Sequence, residues 1–243
     1  MLELIKRVLK STAIGRAIYR PLNLLWKRRI GIPLRRRRLR AHGYEVLAHV
    51  HQFLSEKGIP YYCDAGTLLG FIRDKGFIKN DTDIDIAVMP EYVSLSRVLQ
   101  VFLENGFRYK WGHAYENRFM EFTAQDIKTG LTVDVFQHER DPKDNRYFNE
   151  IFLRWYPDRN YPSDRNNSAL KFHYVGPTGL KTIVEHGISV SVPTNSEEVL
   201  DSEFGPWRVP DPTFKSENTG YTELPGFSVR LTQEEVFESK SMV

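Results

Sequence analysis

From residue 44 onward the apolar positions follow two periods. Val46, Leu47, Val50, Phe53 and Leu54 fall at i, i+1, i+4, i+7 and i+8, one stripe of an amphipathic helix that Lys57-Gly58 would stop. A second stripe after Pro90 holds Leu95, Val98, Leu99, Phe102 and Leu103, and Asn105-Gly106 closes it. Between the stripes, residues 59–63 read as a short strand and residues 82–88 alternate strictly. Thr82, Ile84, Ile86 and Val88 point to one face, Asp83 and Asp85 to the other. Strands are predicted over 107–111, 119–124 and 131–136, the last two joined by the turn-like Asp126-Ile127-Lys128-Thr129-Gly130. After about residue 140 Pro, Asn, Tyr and charge accumulate and the periodicity weakens. The pattern there predicts a helix over 178–186, a strand over 188–192 and a short helix over 197–204. There are no internal repeats.

The first forty residues read differently. They carry thirteen Lys and Arg against Glu3 alone, so they hold +12 of a chain whose total is +3, and the other 203 residues sum to −9. Leu2, Ile5, Val8, Leu9, Leu22, Leu24, Leu25 and Trp26 interleave with the cations, while Gly15, Pro21, Gly31 and Pro33 divide the arm into short pieces. Cations beside Leu and Trp suit an anionic membrane surface; a solvated or core-packed basic arm uses the same residues, and nucleic acid is the weaker partner. No apolar run approaches the roughly 18 residues of a membrane span, and charge breaks any secretory signal. With 41% hydrophobic residues the chain can build a core, and the lone Cys63 excludes an internal disulfide or a cysteine zinc cage. These features predict a cytoplasmic setting, and on the membrane reading of the arm a peripheral place on the inner face of the membrane.

The chemistry lies between residues 64 and 89. Asp83 and Asp85, two apart on one strand face, sit about 7 Å apart at Cα, close enough to share a divalent ion. A solvent-facing acidic edge strand would show the same alternation. Val133-Asp134-Val135 puts a third carboxylate among β-branched apolar residues, where it needs a partner that a shared metal would supply. Asp64-Ala65-Gly66-Thr67-Leu68-Leu69-Gly70 follows a short strand directly. Gly66 permits a close backbone turn, Thr67 offers a hydroxyl and an N–H, and the helix that begins there presents an anion-binding N-terminus. Arg73, a turn later, has the reach for a bidentate phosphate contact.

This ordered set resembles the nucleotidyltransferase superfamily, and within it the LicD family of phosphocholine transferases and fukutin-related proteins. The family's D-G-G-T-L-L-G-x-x-R stands here as Asp64-Ala65-Gly66-Thr67-Leu68-Leu69-Gly70-Phe71-Ile72-Arg73. Its G-F-I-P-W-D-D-D-I-D stands as Gly76-Phe77-Ile78-Lys79-Asn80-Asp81-Thr82-Asp83-Ile84-Asp85. Val192-Pro193, Glu198-Val199-Leu200 and Phe204-Gly205-Pro206-Trp207 are similar to its closing element, so the resemblance covers about residues 40–212. Lys79-Asn80 replace Pro-Trp, Thr82 replaces the middle Asp, and Phe204 stands for a common Tyr.

The resemblance implies an α+β fold: a small mixed nucleotidyltransferase-like sheet flanked by helices, with an irregular C-terminal extension. It divides the chain into a basic arm (1–40), a catalytic core (41–140) and an extension packed on the core (141–243). It implies Asp83, Asp85 and Asp134 as catalytic and metal-binding residues for magnesium, with manganese as a substitute, and Asp64, Gly66, Thr67 and Arg73 as donor-binding residues. Asp134 would also orient or deprotonate the acceptor. The donor would be a CDP-activated alcohol, carrying choline, ribitol or glycerol phosphate, and the acceptor a sugar hydroxyl of a surface glycan, of the lipopolysaccharide or capsule kind, or its lipid-linked precursor. A nucleotidyltransferase that releases pyrophosphate would use the same aspartates; a non-catalytic, membrane-associated member would not need them. His49 and His51 do not share a helix face and read as packing residues, His138 as a loop histidine, and Trp155 and Trp207 as core.

Overall fold

The computed structural model describes residues 13–140, 147–153, 166–211, 222–226 and 228–238. The chain enters through α1 (Ala13–Trp26), a π-helical turn (Lys27–Gly31) and α2 (Ile32–Glu56). The expected short pieces are therefore one continuous helical run. Pro21 lies inside α1 and Pro33 just after the π-helical turn, so neither divides the run. The run passes through residue 40, joining the basic arm to the globular part without a linker. Leu39, Gly43, Val46, Leu47, Val50, Phe53 and Leu54 are its buried face. It ends with Gly58 at φ 65° and Ile59 N donating to Leu54 O at 2.9 Å, the left-handed stop anticipated at Lys57-Gly58.

The central sheet is mixed. After β1 (Tyr62–Cys63) come α3 (Ala65–Leu69), a π-turn (Gly70–Asp74) and β2 (Ile84–Val88). Helix α4 (Leu95–Glu104) then leads to β3 (Phe107–Tyr115), β4 (Arg118–Asp126) and β5 (Thr132–Gln137). The spatial order is β1-β2-β5-β4-β3; β2 and β5 are parallel, and the other neighbours in this series are antiparallel. Ser94 caps α4 by accepting from Arg97 N, and Phe102 of α4 meets Phe53 of α2 and Phe122 of β4 edge-on at 5.0 and 5.6 Å. The two helices thus cover the sheet face that bears Ile84, Ile86, Phe122, Val133 and Val135, all fully buried. Alternation sends Asp85, Thr123 and Asp134 to the opposite face.

Beyond residue 140 the chain is more regular than its periodicity predicts. Strands β6 (Glu139–Arg140), β7 (Tyr147–Leu153), β8 (Asn166–Tyr174) and, later, β11 (Thr222–Glu223) and β12 (Ser228–Leu231) extend the sheet past β3 in the order β12-β8-β7-β6, with β11 on β8. The helix expected over 178–186 is instead β9 (Leu180–Glu185), paired with β10 (Ile188–Pro193). Thr182, Ile183 and Val184 favour extended backbone, and His186-Gly187 at φ 50° and 77° forms a two-residue hairpin turn, which outweighs a weak helical spacing. The short helix expected over 197–204 is α5 (Ser196–Phe204), and α6 (Gln233–Glu238) ends the described chain. Among the described residues no helix is long and apolar enough to cross a membrane.

Candidate active site

Four aspartates gather where β2 leaves its entry loop and runs beside β5. The parallel register sets Asp85 opposite Asp134, and the antiparallel one sets Asp134 opposite Thr123, so all three share the open face. The Thr123 hydroxyl donates to Asp134 Oδ1 and fixes that carboxylate. Asp81 and Asp83 lie just before β2 and are tied together by Thr82, the residue that replaces an aspartate of the family pattern. Its N–H donates to Asp81 Oδ1 at 2.9 Å and its hydroxyl to Asp83 Oδ1 at 3.0 Å. Arg35 of α2 stands 3.6 Å from Asp83 Oδ2.

Crowding shows in the electrostatics. Burial first, then the Asp83 carboxylate, pushes Asp81 up to about 6. Burial likewise pushes Asp85 well above the usual carboxylate range, helped by Asp83, Asp81, Asp134 and Asp64 in that order. Asp81 Oδ2 is buried and, among the described residues, makes no hydrogen bond. Such an atom needs a proton or a cation. The donor set therefore fits a divalent ion, although among the described residues no three acidic, His or Cys side chains already converge on one point.

Helix α3 closes the site from the other side. A methyl group on Gly66 would lie 2.7 Å from Asp81 Oδ2 and 3.4 Å from Asp85 Oδ2, so the glycine leaves the carboxylates their space. Thr67 is fully buried, and its hydroxyl accepts from Asp85 N at 2.9 Å, fastening α3 to β2. Ala65 stands at φ 43°, a left-handed conformation, where the family pattern has glycine. Arg73 gives Nε and Nη2 to Asp74 at 2.8 and 2.7 Å and Nη1 to Trp207 O at 3.3 Å. Its guanidinium, held by Asp74, thus pins the closing Phe204–Trp207 segment.

Asp64 begins α3 without capping it; its carboxylate turns to His138 instead. His138 Nε2 stands 3.1 Å from Asp64 Oδ2, a close polar contact off line for a straight hydrogen bond, and Tyr62 OH meets His138 Nδ1 at 2.6 Å. All three side chains are buried, so His138 is no ordinary loop histidine. Glu203 of α5 adds a carboxyl held above its usual range by burial and by Asp64. Of the residues set aside earlier, His49 bonds Asn105 O and His51 bonds Tyr61 OH, both packing roles. Trp207 is buried with Nε1 on Asp201, and Trp155 lies outside the described residues. Asp81 is the site residue that sequence reasoning passed over. It shares the parity of Asp83 and Asp85 and, like Asp83, precedes the strand; only the fold shows its buried oxygen.

A mixed sheet with carboxylates on adjacent parallel strands and a glycine-threonine helix packed against them defines a nucleotidyltransferase domain. A family model described as "LicD/FKTN/FKRP, nucleotidyltransferase domain" matches residues 58–195, more than half of the chain. The protein belongs to the LicD/FKTN/FKRP family. It is 34% identical over 116 residues to an uncharacterized protein of Rickettsia prowazekii, covering 47% of this chain and 40% of that one. An uncharacterized protein of Rickettsia typhi is 29% identical over 120 residues, 45% and 36% of the two chains. Ribitol-5-phosphate transferase FKTN of Mus musculus is 22% identical over 179 residues, 72% of this chain and 35% of its own length. The chain thus matches about two-fifths or less of the length of each of these relatives.

Proposed function

We propose that the protein transfers a phospho-alcohol from a CDP-activated donor to a sugar hydroxyl of a glycan, with magnesium or manganese as cofactor. Asp81, Asp83, Asp85 and Asp134 would hold the ion. The observation that carries this reading is the buried, unpartnered Asp81 Oδ2 among these carboxylates, facing the space that Gly66 leaves open. Membership of the family and the likeness to a ribitol-5-phosphate transferase support the phospho-alcohol.

A bound divalent ion would supply charge neutralisation at the donor phosphates. The chain's own residues do the rest. The backbone at Gly66-Thr67 lets a diphosphate approach closely, while the Thr67 hydroxyl holds the Asp85 main chain in place. Asp134, fixed by Thr123, takes the proton of the acceptor hydroxyl as its oxygen bonds to the phosphorus that carries the alcohol. The bond from that phosphorus to the bridging oxygen breaks, and CMP leaves. Asp64, oriented by His138 and Tyr62, borders the donor end of the site.

The test is to incubate the protein with magnesium, a glycan acceptor and CDP-ribitol, CDP-glycerol or CDP-choline in turn, and in parallel with CTP or ATP. CMP release from one CDP-alcohol, lost in Asp85→Asn, is expected. Pyrophosphate from a nucleoside triphosphate, with no CMP from any CDP-alcohol, would overturn the assignment.

A further inference from the structure

The geometry points to the helical arm as a docking surface for an anionic phospholipid bilayer. Leu22, Leu24, Leu25, Trp26, Ile30 and Leu34 are between 40% and 59% exposed. Large apolar side chains clustered on a surface mark an interaction site. Around them Arg28, Arg29, Arg35, Arg37 and Arg40 are also exposed, and no Asp or Glu occurs between Glu3 and Glu45. Charge complementarity selects an anionic partner. The apolar component selects a bilayer over a nucleic acid, because Leu and Trp gain by entering the boundary of headgroups and acyl chains while arginine holds the phosphates.

The same helical run grips the aspartate loop. Arg36 Nε donates to Asn80 O at 2.9 Å, Arg40 Nη2 donates to Lys79 O at 3.0 Å, and Arg35 approaches Asp83. A bilayer that engages the arm therefore lies beside the loop bearing Asp81 and Asp83. Docking itself is independent of the reaction proposed above. Resting on that reading, it makes the acceptor a lipid-linked glycan.

The experiment sediments the full chain, without substrate, with vesicles of phosphatidylglycerol and phosphatidylcholine or of phosphatidylcholine alone. Binding only to the anionic vesicles, released at about 0.5 M salt, is expected. Leu22→Ser with Leu25→Ser and Trp26→Ser, and separately Arg28→Glu with Arg29→Glu, should each weaken it about tenfold or more. Melting temperature and CMP release with a soluble acceptor should stay unchanged in both. The vesicle-induced blue shift of tryptophan emission should vanish in Trp26→Phe. No sedimentation with anionic vesicles, undiminished binding by the apolar triple variant, or preference for an oligonucleotide over vesicles would each overturn the inference. Failure of catalysis alone would leave the binding result intact.

Discussion

A carboxylate held beside other carboxylates lowers its energy either by taking a proton or by sharing a cation. Asp81 and Asp85 are in that position, and their raised values give a pH signature with a definite sign. The native state binds protons more tightly than the unfolded chain, so for Asp81 metal-free stability should be greatest below about pH 4 and decline as pH rises through about 6, and Asp85 adds a loss of the same sign. Thermal melts in chelator across pH 4–8 read this directly. Asp81→Asn should flatten the decline and raise the melting temperature near neutrality, while lowering turnover by about 10²–10³-fold. Ala65 offers an independent test. Its left-handed backbone costs about 1 kcal/mol in an L-residue, so Ala65→Gly should stabilise the fold by up to that amount in urea titrations. Part of this scale is legible in the chain: Asp85 on its alternating strand and the isolated Asp134 are visible as letters, whereas the strand expected from Thr82 begins at Ile84 and leaves Asp83 in the entry loop. The unpartnered oxygen of Asp81 and the His138 contact are not legible, because both depend on segments brought together across the fold.

Among the elements, those with a strong apolar stripe or strict alternation are the ones that periodicity locates. Helix α4, for example, shows five buried positions on one face and a serine cap. Truncating its Phe102 to Ala should cost about 3–5 kcal/mol by equilibrium denaturation, because its three aromatic neighbours, Phe53, Phe107 and Phe122, cannot close the gap. Strand β9 stands where a helix is expected because Leu180, Ile183 and Val184 satisfy a helical spacing as well as a strand, and only the turn residues decide. Turn chemistry also limits the β3–β4 hairpin, which reverses at Glu116-Asn117, φ 48° and 64°. That geometry favours Asn-Gly, so Glu116→Asn with Asn117→Gly should stabilise the protein by about 0.5–1.5 kcal/mol in urea titrations.

At the scale of the whole molecule, cation binding and folding are linked. If the aspartates hold magnesium as proposed, excess ion at about a hundredfold over its dissociation constant should add about 2.7 kcal/mol of stability. The gain should disappear in chelator and in Asp85→Asn, which calorimetry would register. The sheet also has an order that its sequence conceals. Strand β12 pairs with β3 on one side and β8 on the other, so residues 228–231 sit between segments made long before them. During synthesis β1 to β5 can assemble as soon as they leave the ribosome, yet the outer edge of β3 stays open until nearly a hundred further residues have followed. At roughly 5–20 residues per second that is several seconds of exposed, pairable backbone. Slow translation of the downstream region, or a nascent chain halted before residue 228, should thus favour aggregation through β3 and chaperone capture, even though every residue of the aspartate site is already present.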